Sequence, residues 1–279
     1  MARKRANITD LLNDMTYKCV FDKYKLISVN AFEWAGLPSG IQERHIERLL
    51  FDHGRAVFFR DPDMDYMCLE VQEGGRRNVY GDSLDYRAYG VGYNRHLSAD
   101  DCIIVENNKL RIPTVNFLYL YANKITEAER AMDVNVKVNK TPFIFACDDK
   151  NILSVKRMFD QIDSNTYAIY ADKAFNIEDI TVLQTGVKFL GSELMDYKNA
   201  VEAELLTFLG INNVPTDKKE RLITDEANAN NQLISSFAQL QLEARERACE
   251  AINEKFGLNL SVKLRQRQTE EAGKNVEPV

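Results

Sequence analysis

Between Lys188 and Leu209 the apolar residues Leu190, Leu194, Tyr197, Val201, Leu205 and Phe208 step by four, three, four, four and three positions. An α-helix brings that spacing onto one face, so this run commits the chain to a long helix with a stripe to bury. Two further segments carry the same constraint. Pro113 opens a helix in which Leu118, Ala122, Ile125, Ala128, Met132 and Val136 keep one stripe to about Val138. The missing N–H of proline costs nothing at a first helical position. Leu233, Phe237, Leu240, Ala244, Ala248 and Ile252 form a third stripe over about 232–256, and Gly257 stops that helix. Tyr119, Leu120, Leu206 and Leu209 are apolar off the main stripes. Helices patterned in this way pack on more than one neighbour, which hints at an oligomer.

The remaining segments are mixed. Residues 9–34 read as a helix, with Thr9 and Asp10 as N-cap residues, Leu12, Met15 and Cys19 at helical spacing, and Gly36 and Pro38 as the stop. A helix over about 41–53 turns Ile46, Leu49 and Leu50 inward and ends at Gly54. From Ala56 to Asn107 the pieces AVFFR, YMCLEV, YRAYGV and DCIIVE, broken by Gly, Asp, Asn and Pro, predict a small antiparallel set. Residues 143–186 read as a βαβ-like block: FIFAC, a helix over 151–162, TYAIYA, then DITVLQTG. The final LNLSVKLR alternates, with Leu260, Val262 and Leu264 on one face, as a half-buried strand does. The fold class is therefore α+β. Long helices bracket a small inserted α/β block, and both ends of the chain build a larger mixed region.

Composition narrows the chemistry. The 279 residues can bury a substantial core, and a net charge of −6 does not suit a general polyanion binder. Five scattered cysteines with no CxxC pair fit neither a disulfide framework nor a Cys-based zinc site, and point to a reducing place of synthesis. The start, MARKRANITD, is basic but lacks the apolar stretch of a signal peptide, and no apolar run approaches the roughly 20 residues of a membrane span. A cytosolic folding environment is expected.

Active-site signatures are sparse. His45, His53 and His96 share no metal-ligand spacing and read as surface or helix-end residues. There is no GxxxxGK[ST], GxGxxG or GxSxG. Gly90-Val91-Gly92 reads as a turn between strands, and Gly74-Gly75-Arg76-Arg77 as an exposed hairpin tip. Asp61-Pro62-Asp63 and Asp148-Asp149 read as turn acids. The expectation is no metal, no cofactor and no catalytic residue. Two basic clusters remain, Arg3-Lys4-Arg5 and Lys218, Lys219 and Arg221. The second lies in GINNVPTDKKERLITDEANANNQ (210–232), between two patterned helices, and Asp225 and Glu226 follow it.

Several collinear pieces carry a family resemblance. NAVEAELLTFLGIN (199–212), KKERLITDEANANN (218–231) and RERACEAINEKFGLNLSVKLR (245–265) resemble the upper collar protein of phi29-like phages, the portal or head–tail connector. MARKR, FEWAGLP (32–38), FFRDPDMDY (58–66), NKTP (139–142) and LSVK (153–156) extend the match over roughly residues 1–265.

The resemblance implies a portal fold and a ring of about twelve subunits around a channel. Double-stranded viral DNA would be packaged and later ejected through that channel, at one vertex of the virion. The division it implies is as follows: 1–112 the N-terminal part of the wing with its basic arm, 113–140 a stem helix, 141–187 the clip, 188–210 a stem helix, 211–231 the channel loop, 232–265 the C-terminal part of the wing, and 266–279 a polar tail.

The partners it implies are further copies of the chain, the DNA, a packaging ATPase, the major capsid and scaffolding proteins, a lower collar or tail protein, and a packaging RNA in contact with Arg3, Lys4 and Arg5. Assembly would take place in the host cytoplasm. Lys218, Lys219 and Arg221 would reach passing DNA. Where the family's best-known member has channel lysines, this chain has Gln184 and Glu193, and Lys188 is the nearby candidate. Two other readings stay open. One is an adaptor ring of the tail or collar. The other is a metal-dependent nucleic-acid-processing enzyme using Asp225 and Glu226.

Overall fold

Val57, Phe58 and Phe59 are consecutive and fully buried, so the strand that carries them, β2 (Arg55–Asp61), is covered on both faces. In this computed structural model, which describes residues 8–140, 143–146, 181–184, 188–212 and 224–265, β2 belongs to a five-stranded antiparallel sheet. The other strands are β3 (Asp65–Arg77), β4 (Ser83–Gly90), β5 (Tyr93–Ser98) and β6 (Cys102–Glu106), in the order β5–β4–β3–β2–β6. One face presents Ala56, Phe58, Cys68 and Val105 to Leu49 and Leu50 of helix α2 (Glu43–His53). Val57, Phe59, Val71, Tyr86 and Leu97 form a separate cluster on the other face.

β5 is missing from the sequence reading because YNRHLS is polar and sends only Leu97 fully inward. The Gly74-Gly75-Arg76-Arg77 stretch is not the hairpin tip. It runs within β3 and carries a bulge, while the tip lies at Asn78–Asp82, where Asn78 Oδ1 accepts the Tyr80 and Asp82 amides at 2.9 Å each. The Gly90–Gly92 turn joins β4 to β5 as expected.

Helix α1 (Ile8–Val29) is shorter than expected. Its last turn closes through Asn30, whose amide donates to Leu26 O, and β1 (Phe32–Ala35) begins at once. The apolar period changes there from helical to alternating with no glycine or proline to mark it. Phe32 and Trp34 face inward, and β1 pairs antiparallel with β9 (Ser261–Leu264), Trp34 opposite Val262. Leu260 and Val262 are buried while Ser261 and Lys263 are exposed, as the alternation requires.

Two compact units divide the chain: Met1–Thr126 with Asn199–Val279, and Glu127–Lys198. Helix α3 (Thr114–Lys140) runs from the first into the second, and helix α4 (Gly191–Phe208) runs back. Within the first unit, Val20 and Tyr24 of α1, Leu118, Ala122 and Ile125 of α3, and Val201 and Leu205 of α4 make a helical core. In the second, β7 (Phe143–Ala146) and β8 (Thr181–Gln184) pair antiparallel. The expected helix 151–162 and the TYAIYA strand lie outside the described residues.

The last long helix, α5 (Thr224–Phe256), starts eight residues before the expected 232. Residues 224–231, assigned to a loop, are therefore helical, and Asp225 and Glu226 stand in a first helical turn, where acids complement the helix dipole. The buried stripe of α5 also differs from the one in the sequence reading. Ile234, Ala238, Arg245 and Cys249 are buried beside Ala244, Ala248 and Ile252, whereas Leu233 and Leu240 are about half exposed. Gly210 accounts for the local register. It holds a φ of +71°, and a Cβ there would lie 2.7 Å from Ala238, so the chain can turn against α5 only through a small residue on each side.

Arg245 and Glu47 make a deeply buried polar joint, each 2% exposed. Arg245 Nε and Nη2 donate to the two Glu47 oxygens at 2.8 and 2.7 Å. Its remaining N–H groups donate to Asn107 O, Asn107 Oδ1 and Gln241 O. Trp34 Nε1 donates to Glu47 at 2.8 Å, and the guanidinium lies 3.9 Å from the Phe32 ring centre. All five donors of the fork are used.

Carboxylates elsewhere hold turns. Asp61 accepts from Tyr93 Oη at 2.6 Å, from Arg95 at 2.5 Å and from the Asp63 and Met64 amides. These bonds, that of Tyr93 first, hold its carboxyl far below the ordinary value of 3.8. Asp85, bound by the Arg76 side chain and amide, falls to about 2. A depressed carboxylate stabilises the fold above its unfolded pKa, and this stability is lost as pH falls through the folded value. Asp61→Asn with Asp85→Asn should therefore flatten the loss of stability between pH about 4 and pH about 2, measured by urea unfolding across that range. At the buried joint, Arg245→Ala should cost about 3–5 kcal/mol, because Glu47 would be left buried and uncompensated. Pairing Arg245→Met with Glu47→Leu should restore part of that loss in the same assay.

Candidate functional site

Of the residues nominated from sequence, Lys188 is described and exposed. Lys218, Lys219, Arg221 and Arg3, Lys4 and Arg5 lie outside the described residues. Lys188 occupies a short irregular segment, 188–190, ahead of α4. Asn135 of α3 fixes that segment. Its Nδ2 donates to Lys188 O at 2.9 Å, and its Oδ1 accepts from the Leu190 amide at 2.9 Å. One carboxamide thus does what a neighbouring strand would do for the two backbone groups.

Asn135 is 8% exposed, and Val136, assigned to the stripe from sequence, is 54% exposed. The inward position goes to the amide because the 188–190 backbone needs a partner. Lys188 and the Lys198–Glu129 pair, 2.9 Å apart, sit in the same unit. Among described residues the Lys188 ammonium makes no ion pair, whereas Glu193 is exposed in the first turn of α4. Gln184 lies in β8 opposite Phe143.

The helices also present apolar residues outward. Leu190, just ahead of α4, is 42% exposed, and Met195 and Tyr197 on α4 are 45% and 50% exposed, while Val201 and Leu205, on one stripe with Leu190 and Tyr197, are buried. Phe189 beside them is 63% exposed. Val134 of α3, Leu233 and Leu240 of α5, and Leu12 and Met15 of α1 are exposed as well. Sequence periodicity assigned most of these to a core. They are amphipathic as expected, but their own chain covers only part of each stripe.

Little in the described residues resembles a reaction centre. No group of three His, Cys, Asp or Glu side chains converges on a metal position among them. Burial pushes the Cys68 and Cys249 thiols up to about 12 and Cys102 to about 11, so these thiols are packed rather than nucleophilic. His45 donates Nε2–H to Cys68 O at 3.1 Å, and burial together with Arg48 lowers its pKa. No helix among the described residues is long and apolar enough to cross a membrane.

A family model described as the phage connector (GP10) matches residues 3–269. Among solved structures, the portal and tail of native bacteriophage P68 gives a TM-score of 0.51 at 14% identity, covering 96% of this chain and 94% of that one. An HK97-family phage portal protein from Corynebacterium diphtheriae gives 0.47 at 9% identity, covering 94% and 96%. The virion of a native gene transfer agent particle gives 0.47 at 9%, covering 92% and 80%.

The Asn135 anchor has a direct readout. Removing a buried partner from paired backbone groups costs about 1–3 kcal/mol. In Asn135→Ala the Leu190 amide should therefore exchange with solvent at least about tenfold faster, while amides around Arg245 keep their rates. Unchanged exchange at Leu190 would mean that the amide does not hold the segment.

Proposed function

The chain belongs to the phage connector (GP10) family, and from that premise we propose that it assembles into a closed ring of about twelve copies at one capsid vertex. Double-stranded viral DNA enters the head and later leaves it through the centre of that ring. The connector family is structural, and the role proposed is a conduit and a joint, with no reaction of its own. The observation that supports a ring most directly is the split apolar stripe that runs into α4, buried at Val201 and Leu205 and exposed at Leu190 and Tyr197. A monomer gains nothing from such a stripe. A ring of identical subunits joins one patch to a different patch on the next copy and covers it all the way round.

In this reading Lys218, Lys219 and Arg221 reach DNA from a channel loop, with Lys188 as a second contact. Sparse bases suit transport. Each phosphate neutralised adds affinity through counterion release, and a strongly basic lining would hold the polymer still. A packaging ATPase, the capsid and scaffolding proteins and a lower collar or tail protein would meet the ring on its outer surfaces. Arg3, Lys4 and Arg5 would meet the motor or a packaging RNA. Assembly takes place in the host cytoplasm, and the finished ring sits in the virion neck.

Electron microscopy of the purified protein should show a ring near twelve-fold symmetry, and a stable monomer or dimer at high concentration would overturn the assignment. Lys218→Ala, Lys219→Ala and Arg221→Ala together should leave rings intact and lower DNA retention in filled heads or alter ejection. If the triple variant failed to form rings, the segment would be part of the assembly contact instead.

A further inference from the structure

An open groove of about 670 Å³ lies between α1 and α2. Lys25 of α1 and Arg44 and Arg48 of α2 line it, with Asp22 as the acid among them and Leu26 and Val29 as apolar wall. Lys25 is held by Asp52 at 2.9 Å. Arg44 donates only to the neighbouring Gln42, and Arg48 has no hydrogen bond or ion pair among described residues. Leu26 is 66% exposed. Two arginines one helical turn apart, beside an uncovered leucine, form a surface without an occupant in the single chain.

A complementary ridge lies elsewhere in the same unit. On α5, Glu246, Glu250 and Glu254 follow one another at four-residue spacing and make no ion pair among described residues, and Arg247 is exposed beside them. The groove thus carries two free positive charges and one negative, and the ridge three free negative charges and one positive. Helix α2 packs over β2 and β3, whereas α5 packs over β6, the edge strand, and over β9. The two surfaces therefore belong to different parts of the layer on the sheet. Among described residues no ion pair joins groove to ridge within the chain, so a pairing of the two would form between copies, in a head-to-tail contact.

We propose that the α1/α2 groove receives the acidic ridge of α5 from a second copy of the chain, Arg44 and Arg48 facing Glu246 and Glu250, and Asp22 facing Arg247. This rests on the ring reading and specifies one junction within it. A nucleic acid is a poorer occupant, because Asp22 repels phosphate and Leu26 and Val29 offer it nothing. Exposed ion pairs add little affinity individually. Their effect is on register and partner choice, where like charges brought face to face exclude the wrong arrangement. Affinity comes from the apolar stripes.

Charge exchange tests the junction. Arg44→Glu with Arg48→Glu makes groove and ridge both acidic; Glu246→Arg with Glu250→Arg makes both basic. Each double variant alone should lose rings about tenfold or more at a fixed concentration, measured by analytical ultracentrifugation at low salt. Mixing the two should restore rings, because every junction then pairs opposite charges, and so should all four substitutions in one chain. That rescue also shows that the variants fold. Full assembly of either double variant alone, or no rescue in the mixture and the four-fold variant, overturns the proposal. If the groove variant formed rings and only lost binding to a DNA duplex, the surface would be a nucleic-acid contact and the proposal would fail. A wild-type chain that stays monomeric would defeat the ring reading itself.

Discussion

The first unit depends on a guanidinium buried beside a carboxylate, with every donor of the fork engaged. Glu47 comes from an early helix and Arg245 from the last long one, 198 positions apart. Closing a loop of that size costs entropy that grows only slowly with length. A buried ion pair is weak as a source of net stability, since desolvation offsets its attraction. Its strength here lies in intolerance of alternatives. Glu47 takes the Trp34 indole, and Arg245 takes Asn107, whose amide in turn holds Ile112 O and Thr114 at the start of α3. Any shift of α5 against α2 would leave one of these groups buried and unpaired. The β1–β9 pairing and the base of α3 are therefore fixed together, and long helices can leave and re-enter the unit from a defined foundation.

Much of this architecture was legible in the sequence. The helices α2, α3 and α4, the central strands of the sheet and the alternation of β9 follow from apolar period and from Gly and Pro punctuation. What failed did so for three physical reasons. Periodicity reports that a helix has an apolar side, but it does not report what covers that side. Leu12 and Met15 on α1, Leu190 just ahead of α4 and Tyr197 on it, and Leu233 and Leu240 on α5 satisfy a helical repeat as well as any core residue does, yet they face outward in the single chain. The second reason is local. Phe32 and Trp34 follow a helix without a breaker, so a change of period inside an apolar run was the only trace of β1.

Single polar residues at inward positions were the other blind spot. Asn135 and Arg245 each displace a hydrophobic residue from the side of the helix that packs. A polar residue interrupting a stripe was the available signal in both cases: Asn135 sits beside Val136, and Arg245 follows Ala244 one turn before Ala248 and Cys249. Their roles differ. Arg245 closes a core, whereas Asn135 holds the 188–190 segment by its backbone and leaves the Lys188 side chain outside. Of the bases nominated from sequence, this one has a described support, and the support is a helix residue rather than a loop.

Charge distribution bears on the proposed channel. A conduit for DNA has to tolerate a polyanion without retaining it, and affinity rises with each phosphate neutralised. In the described parts many cations are already engaged by carboxylates: Arg76 with Asp85, Arg95 with Asp61, Arg111 with Glu106, and Lys198 with Glu129. A paired guanidinium has little left to offer a phosphate, so a chain can carry 36 Lys and Arg residues and still present few sticky positions. The same economy would let a net charge of −6 coexist with the proposed passage of DNA. Bulk charge repels the polymer from most of the surface, and the positions meant to touch it must be isolated bases that acids leave free. In the proposed ring symmetry would set their weight, since one exposed lysine per chain would become a full circle of charge. A base that would be negligible in a monomer acquires enough collective effect to steer DNA, while each single contact stays weak enough to break as the polymer advances.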